Sequence, residues 1–221
     1  MATPPKSLAR TTAQVILTFA LLFTFFGRIH AQAQQPAGLG ERYQPMAAPA
    51  AIITLGNARF TVLTSRLIRM EWASDGAFED RASFVFLNRH LPVPAFSVER
   101  RDHALTITTT DVSLRFSPVT ATEKFTSANL LLTLHVDGKE VQWHPGAQDT
   151  GNLRGTARTL DGVMGDRTTL EAGLISRDGW ALGDDSDRPL FDSSDFSFSK
   201  GEQSAWPWVS TRLPGERVDW Y

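Results

Sequence analysis

An antiparallel all-β sandwich is the fold this sequence predicts. Three observations carry the prediction. Apolar residues recur at every second position between Ile52 and Trp143, turn-forming residues separate those rows, and no convincing helical pattern follows the first 33 residues. Alternation at period two puts one face of a strand on a core and the other in water. Short strands at this spacing, with turn signals between them, argue for a sandwich.

The elements follow in order. Phe60 and Val62 alternate with Arg59, Thr61 and Thr64, and Ile68, Met70 and Trp72 alternate with Leu67, Arg69 and Glu71. The sequence thus places Trp72 on the core face and the charged residues in water. Leu105 and Ile107 form the next row, then Val112, Leu114 and Phe116, then Leu130, Leu132, Leu134 and Val136. Turns are expected at Ser74-Asp75-Gly76, Arg101-Asp102-His103 and Asp137-Gly138. Asp-Gly between alternating runs favours a two-residue hairpin, because both positions accept positive φ. From His144 onward the pattern loosens. Glycines and acids crowd together, and a short strand is expected at Trp180-Ala181-Leu182. Loops at a sandwich edge are where binding residues usually lie.

The N-terminus reads as a secretory signal over residues 1–33. Lys6 and Arg10 give positive charge, Val15 to Phe26 is an apolar run of 12 residues, and Ala31-Gln32-Ala33 offers a small-x-small cleavage site. The run is short for a bilayer span, which takes about 20 apolar residues. Export to the periplasm or the exterior is the expectation. Residues 34–50, rich in Gln, Pro, Ala and Gly, read as a flexible linker, with the folded domain over residues 51–221. Removing the leader takes away Lys6, Arg10 and Arg28 and no acid, so the formal charge moves from −2 to −5. A mildly acidic exported domain is a poor candidate for binding nucleic acid or an anionic membrane.

Composition and motifs narrow the chemistry. The chain has no cysteine, which excludes thiol catalysis and thiolate metal sites. A domain of this size buries enough apolar surface without disulfides, so export is not contradicted. Asp184, Asp185, Asp187 and Asp192 cluster, but the alternating acids, central Gly and terminal Glu of a calcium loop are missing. Turn capping and surface charge are the expected roles of these acids. His90, His103, His135 and His144 fit no metal motif and are expected to be structural or exposed. The sequence contains no Gly-x-Ser-x-Gly elbow, phosphate loop or dinucleotide fingerprint. No metal site and no cofactor are expected.

Two stretches of the last third carry a resemblance. Asn152-Leu-Arg-Gly-Thr-Ala-Arg-Thr-Leu-Asp-Gly162, followed by Gly173-Leu-Ile-Ser-Arg-Asp-Gly-Trp180 and Asp184-Asp185-Ser186, resembles the N-terminal domain of glycoside hydrolase family 31. The likeness spans about Ala51 to Tyr221. It implies a galactose-mutarotase-like sandwich that stands before a catalytic barrel, in exported or cytosolic retaining α-glycosidases such as α-glucosidases and α-xylosidases. Its partners would be the barrel and an α-glycoside or other carbohydrate.

The family's nucleophile lies in a barrel-strand motif of the type Trp-x-Asp-Met-Asn-Glu, which does not occur here. A retaining glycosidase needs two placed carboxylates, and the family supplies both from its barrel. The resemblance therefore implies no catalytic residue in this chain, a chain inactive on its own, and a barrel to be expected after Tyr221.

It also implies two substrate-binding candidates, Asp178 and Trp180. In many members a loop of this domain reaches over the barrel mouth, and an Asp in an Arg-Asp pair hydrogen-bonds the sugar. Arg177-Asp178, before Gly179-Trp180, is the matching pair. Turn chemistry ahead of Gly179 accounts for the same residues without a ligand. For Trp206, Trp208 and Trp220, packing against the barrel fits better than a sugar platform, since Trp is enriched at interfaces. A self-standing secreted carbohydrate-binding module is the rival reading of the whole chain.

Overall fold

The computed structural model describes residues 44–155, 170, 172–191 and 212–221. Among them are nine strands in two sheets, all antiparallel, and a single 3-10 turn at Pro49–Ala51. The first sheet holds β1 (Ile52–Leu55), β2 (Ala58–Thr64), β3 (Leu67–Ala73) and β9 (Arg217–Trp220), in the order β1-β2-β3-β9. The second is a meander of β4 (Ser97–Arg101), β5 (Ala104–Thr108), β6 (Val112–Phe116), β7 (Leu130–Val136) and β8 (Lys139–Trp143). The fold is an all-β sandwich. The signal segment 1–33 and most of the 34–50 stretch lie outside the described residues. Among the described residues, no helix is long and apolar enough to cross a membrane.

The turns explain the meander. Asp137 and Gly138 have φ of 49° and 75°, and Val136 faces Lys139 across them. Both positions are left-handed, the twist a two-residue hairpin requires. Asp102, at φ 55°, is left-handed at the first position of the turn between Arg101 and Ala104. The Gly56-Asn57 turn between β1 and β2 has a further constraint. Gly56 has φ of 55°, and a Cβ there would run into the backbone of Ala121. Asn57 N donates to Ala121 O at 2.8 Å, so glycine lets the first sheet close onto the connection between β6 and β7.

The core is the set of period-two residues read from the sequence. Phe60, Met70 and Trp72 from one sheet meet Leu114, Phe116 and Leu130 from the other, all at most 6% exposed. Phe60, Phe116 and Phe125 form an aromatic triad with centroids 5.2–5.7 Å apart. The Trp72 indole N–H donates to Thr122 O at 3.2 Å, which satisfies its polar end inside the core.

The outer face of the first sheet differs from the expectation. Arg59, Thr61, Arg69 and Glu71, read as facing water, are 2–7% exposed. Phe78 and Glu79 pack on this face, and the segments around residues 82–84 and 189–191 pair with each other. Phe84 N donates to Pro189 O at 2.9 Å, and Phe191 N donates to Ala82 O at 2.9 Å. The face itself is a charged layer. Arg59 makes two bonds to Glu71, at 2.6 and 2.8 Å, and Arg69 makes two to Asp219, at 2.8 and 2.7 Å. Arg69 Nη2 also lies 3.1 Å from Glu71. Both guanidiniums donate to the carbonyl of Glu79. Burial alone would lower the Arg69 pKa, but the Asp219 and Glu71 carboxylates hold it above the ordinary arginine range. A buried charge is tolerated only when its partners satisfy it, and here they do.

β9 places the final tryptophan. Val218 faces Trp72, and Trp220 faces Met70, so β9 completes the first sheet. The Trp220 ring packs 6.0 Å from Phe125 and 6.1 Å from Trp143. Part of its apolar surface is therefore used within the sandwich. Trp206 and Trp208 lie outside the described residues.

At the other end, residues 44–50 are held in place. Gln44 O accepts from Arg89 N at 2.7 Å, and Pro45 O accepts from Arg89 Nη1 at 3.2 Å. Trp180–Leu182, expected as a strand, joins neither sheet. Beyond it, Asp184 makes an isolated bridge to Trp220 and Leu190 makes one to Ser83.

Candidate functional site

The two sequence stretches that stand out in the last third come together in space. Asn152 and Ser176 form an antiparallel bridge. Leu153 N donates to Ile175 O at 2.9 Å, and Arg177 N donates to Gly151 O at 3.0 Å. The Asn152 side chain ties the pair crosswise: its Oδ1 accepts from Gly173 N at 2.8 Å, and its Nδ2 donates to Gly173 O at 3.0 Å. Ser176 Oγ donates to Asp149 Oδ1 at 2.5 Å. A side-chain amide that mimics a backbone pair is how Asn organises loops without a regular ladder. Residues 156–169 between the two stretches lie outside the described residues.

Asp178, a sugar-binding candidate by sequence, is placed inside this loop pair. Its Oδ2 accepts from Gly151 N at 2.9 Å and from Thr150 Oγ1 at 3.2 Å. Its own N–H donates to Ser176 Oγ at 3.0 Å. Gly151 has no room for a side chain, because a Cβ there would overlap the Asp178 carboxylate. The carboxylate thus caps the neighbouring turn. Asp178→Ala should cost about 1–2 kcal/mol, a charge-assisted bond discounted for its half-exposed setting. Thermal unfolding of the variant measures it, with faster hydrogen exchange at the Gly151 amide as the local sign. A full-stability variant would mean that the cap contributes nothing.

Trp180, the other candidate, is half-buried and lines a pocket of about 280 Å³ between the two sheets. The start of β3 and the end of β7 both line it. Ile68, Met70 and Leu132 form its apolar depth, and Trp143 stands behind them with its ring 6.4 Å from that of Trp180 at 65°. Gly179 brings Trp180 to the pocket. It has φ of 83°, and a Cβ there would press on Val136 Cγ1 at 3.0 Å.

The rim is polar. Arg66 Nε lies 3.1 Å from Asp111 Oδ1, and Thr110 Oγ1 donates to Asp111 Oδ2 at 2.9 Å. The hydroxyls of Ser65 and Thr110, with the Arg66 guanidinium, hold the Asp111 carboxyl below the usual aspartate range. His135 and Asp137 complete the rim, and the His135 ring is half-exposed, 3.8 Å from Glu140. The sequence reading gave no role to Arg66 or Asp111 and treated His135 as structural or exposed. What brings these residues together is the packing of one sheet on the other: Arg66 lies in the β2–β3 turn and Asp111 just before β6.

The acids expected on the surface divide. Asp184 Oδ1 accepts from Ser186 N at 3.0 Å, which is ordinary turn capping. Asp185 is 1% exposed. Ser83 and Arg89 are its polar neighbours, but Arg89 Nη2 stops 3.9 Å short. Burial pushes the Asp185 carboxyl above its ordinary range. Arg89 itself donates to Tyr221 Oη at 2.6 Å, and the Tyr221 ring stacks on Phe86 at 3.4 Å. Asp192 lies outside the described residues. No protein-family model and no curated protein matches the chain.

Proposed function

We propose that this chain is a non-catalytic β-sandwich domain of an exported α-glycosidase of the family 31 type. In this reading it buttresses a catalytic barrel and lends the loop over residues 173–183 to the sugar site. The observation that carries it is the joining of the two family-like stretches. Asn152 and Ser176 bridge, and the loop they define delivers Trp180 to an aromatic pocket with a polar rim. The scaffold role suits the rigid charged layer, which fixes β9 against β3. Asp178 enters the proposal as the residue that shapes the loop.

A second reading, a self-standing carbohydrate-binding module, is favoured by the pocket itself, since an indole beside hydrogen-bonding groups is what a sugar ring meets in a binding site.

The test has two arms. The purified chain should release no nitrophenol from aryl α-glucosides or α-xylosides; turnover that disappears when one acid is replaced would overturn the non-catalytic reading. An antibody raised to the sandwich should deplete α-glycosidase activity from the secreted fraction of the source cells. Undiminished activity there would remove the glycosidase reading and leave the module.

A further inference from the structure

We propose that the pocket between β3 and β7 is a binding site for one neutral pyranose ring. The inference rests on the carbohydrate reading above and assigns it a place within the sandwich. Three features of the pocket define the ligand.

The first is size. At about 280 Å³ the pocket sits at the small end of ligand cavities, room for a single ring rather than a long chain. The second is the split of its walls. Trp180, Ile68, Met70 and Leu132 are apolar, while the mouth carries Arg66, Asp111, His135 and Asp137. A ligand matched to that split has one apolar face and an edge of hydroxyls. An acyl chain would match the apolar depth alone and make no hydrogen bond with the mouth groups. The third is charge. The mouth holds one guanidinium, two carboxylates and an imidazole, and Arg66 and Asp111 already neutralise each other at 3.1 Å. Asp137 is left uncancelled, so the mouth disfavours an anionic ligand, whereas hydroxyls can both donate to Asp111 and accept from Arg66.

The loop geometry makes the site a formed one. Gly179 lies where a Cβ would stand 3.0 Å from Val136 Cγ1, and Asp178 is bonded to Gly151, so the turn that leads into Trp180 is fixed. Trp143 is 4% exposed and supports the Trp180 ring edge-on rather than competing for ligand. Trp180 is therefore the stacking residue, with Asp111 and Arg66 as hydrogen-bonding groups.

The experiment titrates the full chain with methyl α-glucoside, methyl α-xyloside and methyl α-galactoside. Binding is followed by ligand-observed NMR and by tryptophan fluorescence, with cyclohexanol as an apolar ring lacking the hydroxyl edge. At least one pyranoside should saturate, and cyclohexanol should bind more weakly. Trp180→Ala should weaken the pyranoside about tenfold, the loss of one ring contact. Asp111→Asn should weaken it with the circular dichroism spectrum unchanged. The proposal is overturned if no pyranoside saturates, if cyclohexanol binds as well as the sugars, or if Trp180→Ala binds as the parent does. Should the antibody remove glycosidase activity while no pyranoside binds, the domain assignment stands and the pocket site falls. Pyranoside binding without such depletion would keep the site and remove the glycosidase parent.

Discussion

Asp219→Ala should destabilise the sandwich by about 3–5 kcal/mol, the usual cost of leaving one partner of a buried ion pair without the other. Asp219 is 5% exposed and receives both the Nε and Nη2 hydrogen bonds of Arg69, which is 2% exposed. Once the carboxylate is gone, Arg69 keeps its charge, because no accessible pH deprotonates a guanidinium. It retains Glu71 at 3.1 Å and the Glu79 carbonyl at 2.8 Å, but Glu71 already serves Arg59. The strand pairing of β9 to β3 runs through the same residue, since Glu71 faces Asp219 in register.

Urea unfolding followed by circular dichroism measures the loss as a lower midpoint with unchanged slope. The double variant Arg69→Met/Asp219→Leu should recover much of it, because an apolar pair of similar volume removes the desolvation cost along with the attraction. If the single variant loses less than about 1 kcal/mol, water reaches this layer and the charges are not buried in solution.

That layer also marks where the sequence stops being readable. β5, β6 and β7 were legible because each has one apolar face and one wet one, so period two appears directly. β2 and β3 show the same alternation, yet their polar face is covered. Arg69 and Glu71 look like solvent-facing charges in the chain and become interior only because Asp219 arrives from 150 positions away. No local pattern encodes such a partner. β4 is missed for the opposite reason: all five of its residues are exposed, so no periodic signal exists. β9 has four residues and joins β3 through register alone.

The site was legible in part. Trp180 beside Gly179 is visible as an aromatic on a tight turn, and the structure places it on a pocket. Asp178 was visible as a carboxylate in a loop, but its hydrogen-bond partner, Gly151, lies 27 positions earlier. Sequence spacing does not say whether a loop carboxylate turns outward to a ligand or inward to a backbone amide. Arg66 and Asp111 belong to different sheets and meet only where the sandwich opens.

Phe60→Ala should cost about 3–5 kcal/mol, at the level of Asp219→Ala but by a different route. Phe60 is fully buried and is the first sheet's member of the Phe60–Phe116–Phe125 triad. Phe116 lies on β6 and Phe125 on the connection to β7, so the ring ties the sheets together across the core. Removing it takes away the transfer free energy of the ring and leaves a cavity that two antiparallel sheets cannot close without losing register. Phe60→Leu fills most of that space and should cost less, about 1–1.5 kcal/mol. Val98→Ala, on the exposed strand β4, should stay within about 0.5 kcal/mol. Denaturant midpoints of the three variants give the ordering. A Phe60→Ala protein as stable as Val98→Ala would mean that the sheets are not held through this triad. The pocket between β3 and β7, whose width depends on the same sheet spacing, would then lack a fixed shape.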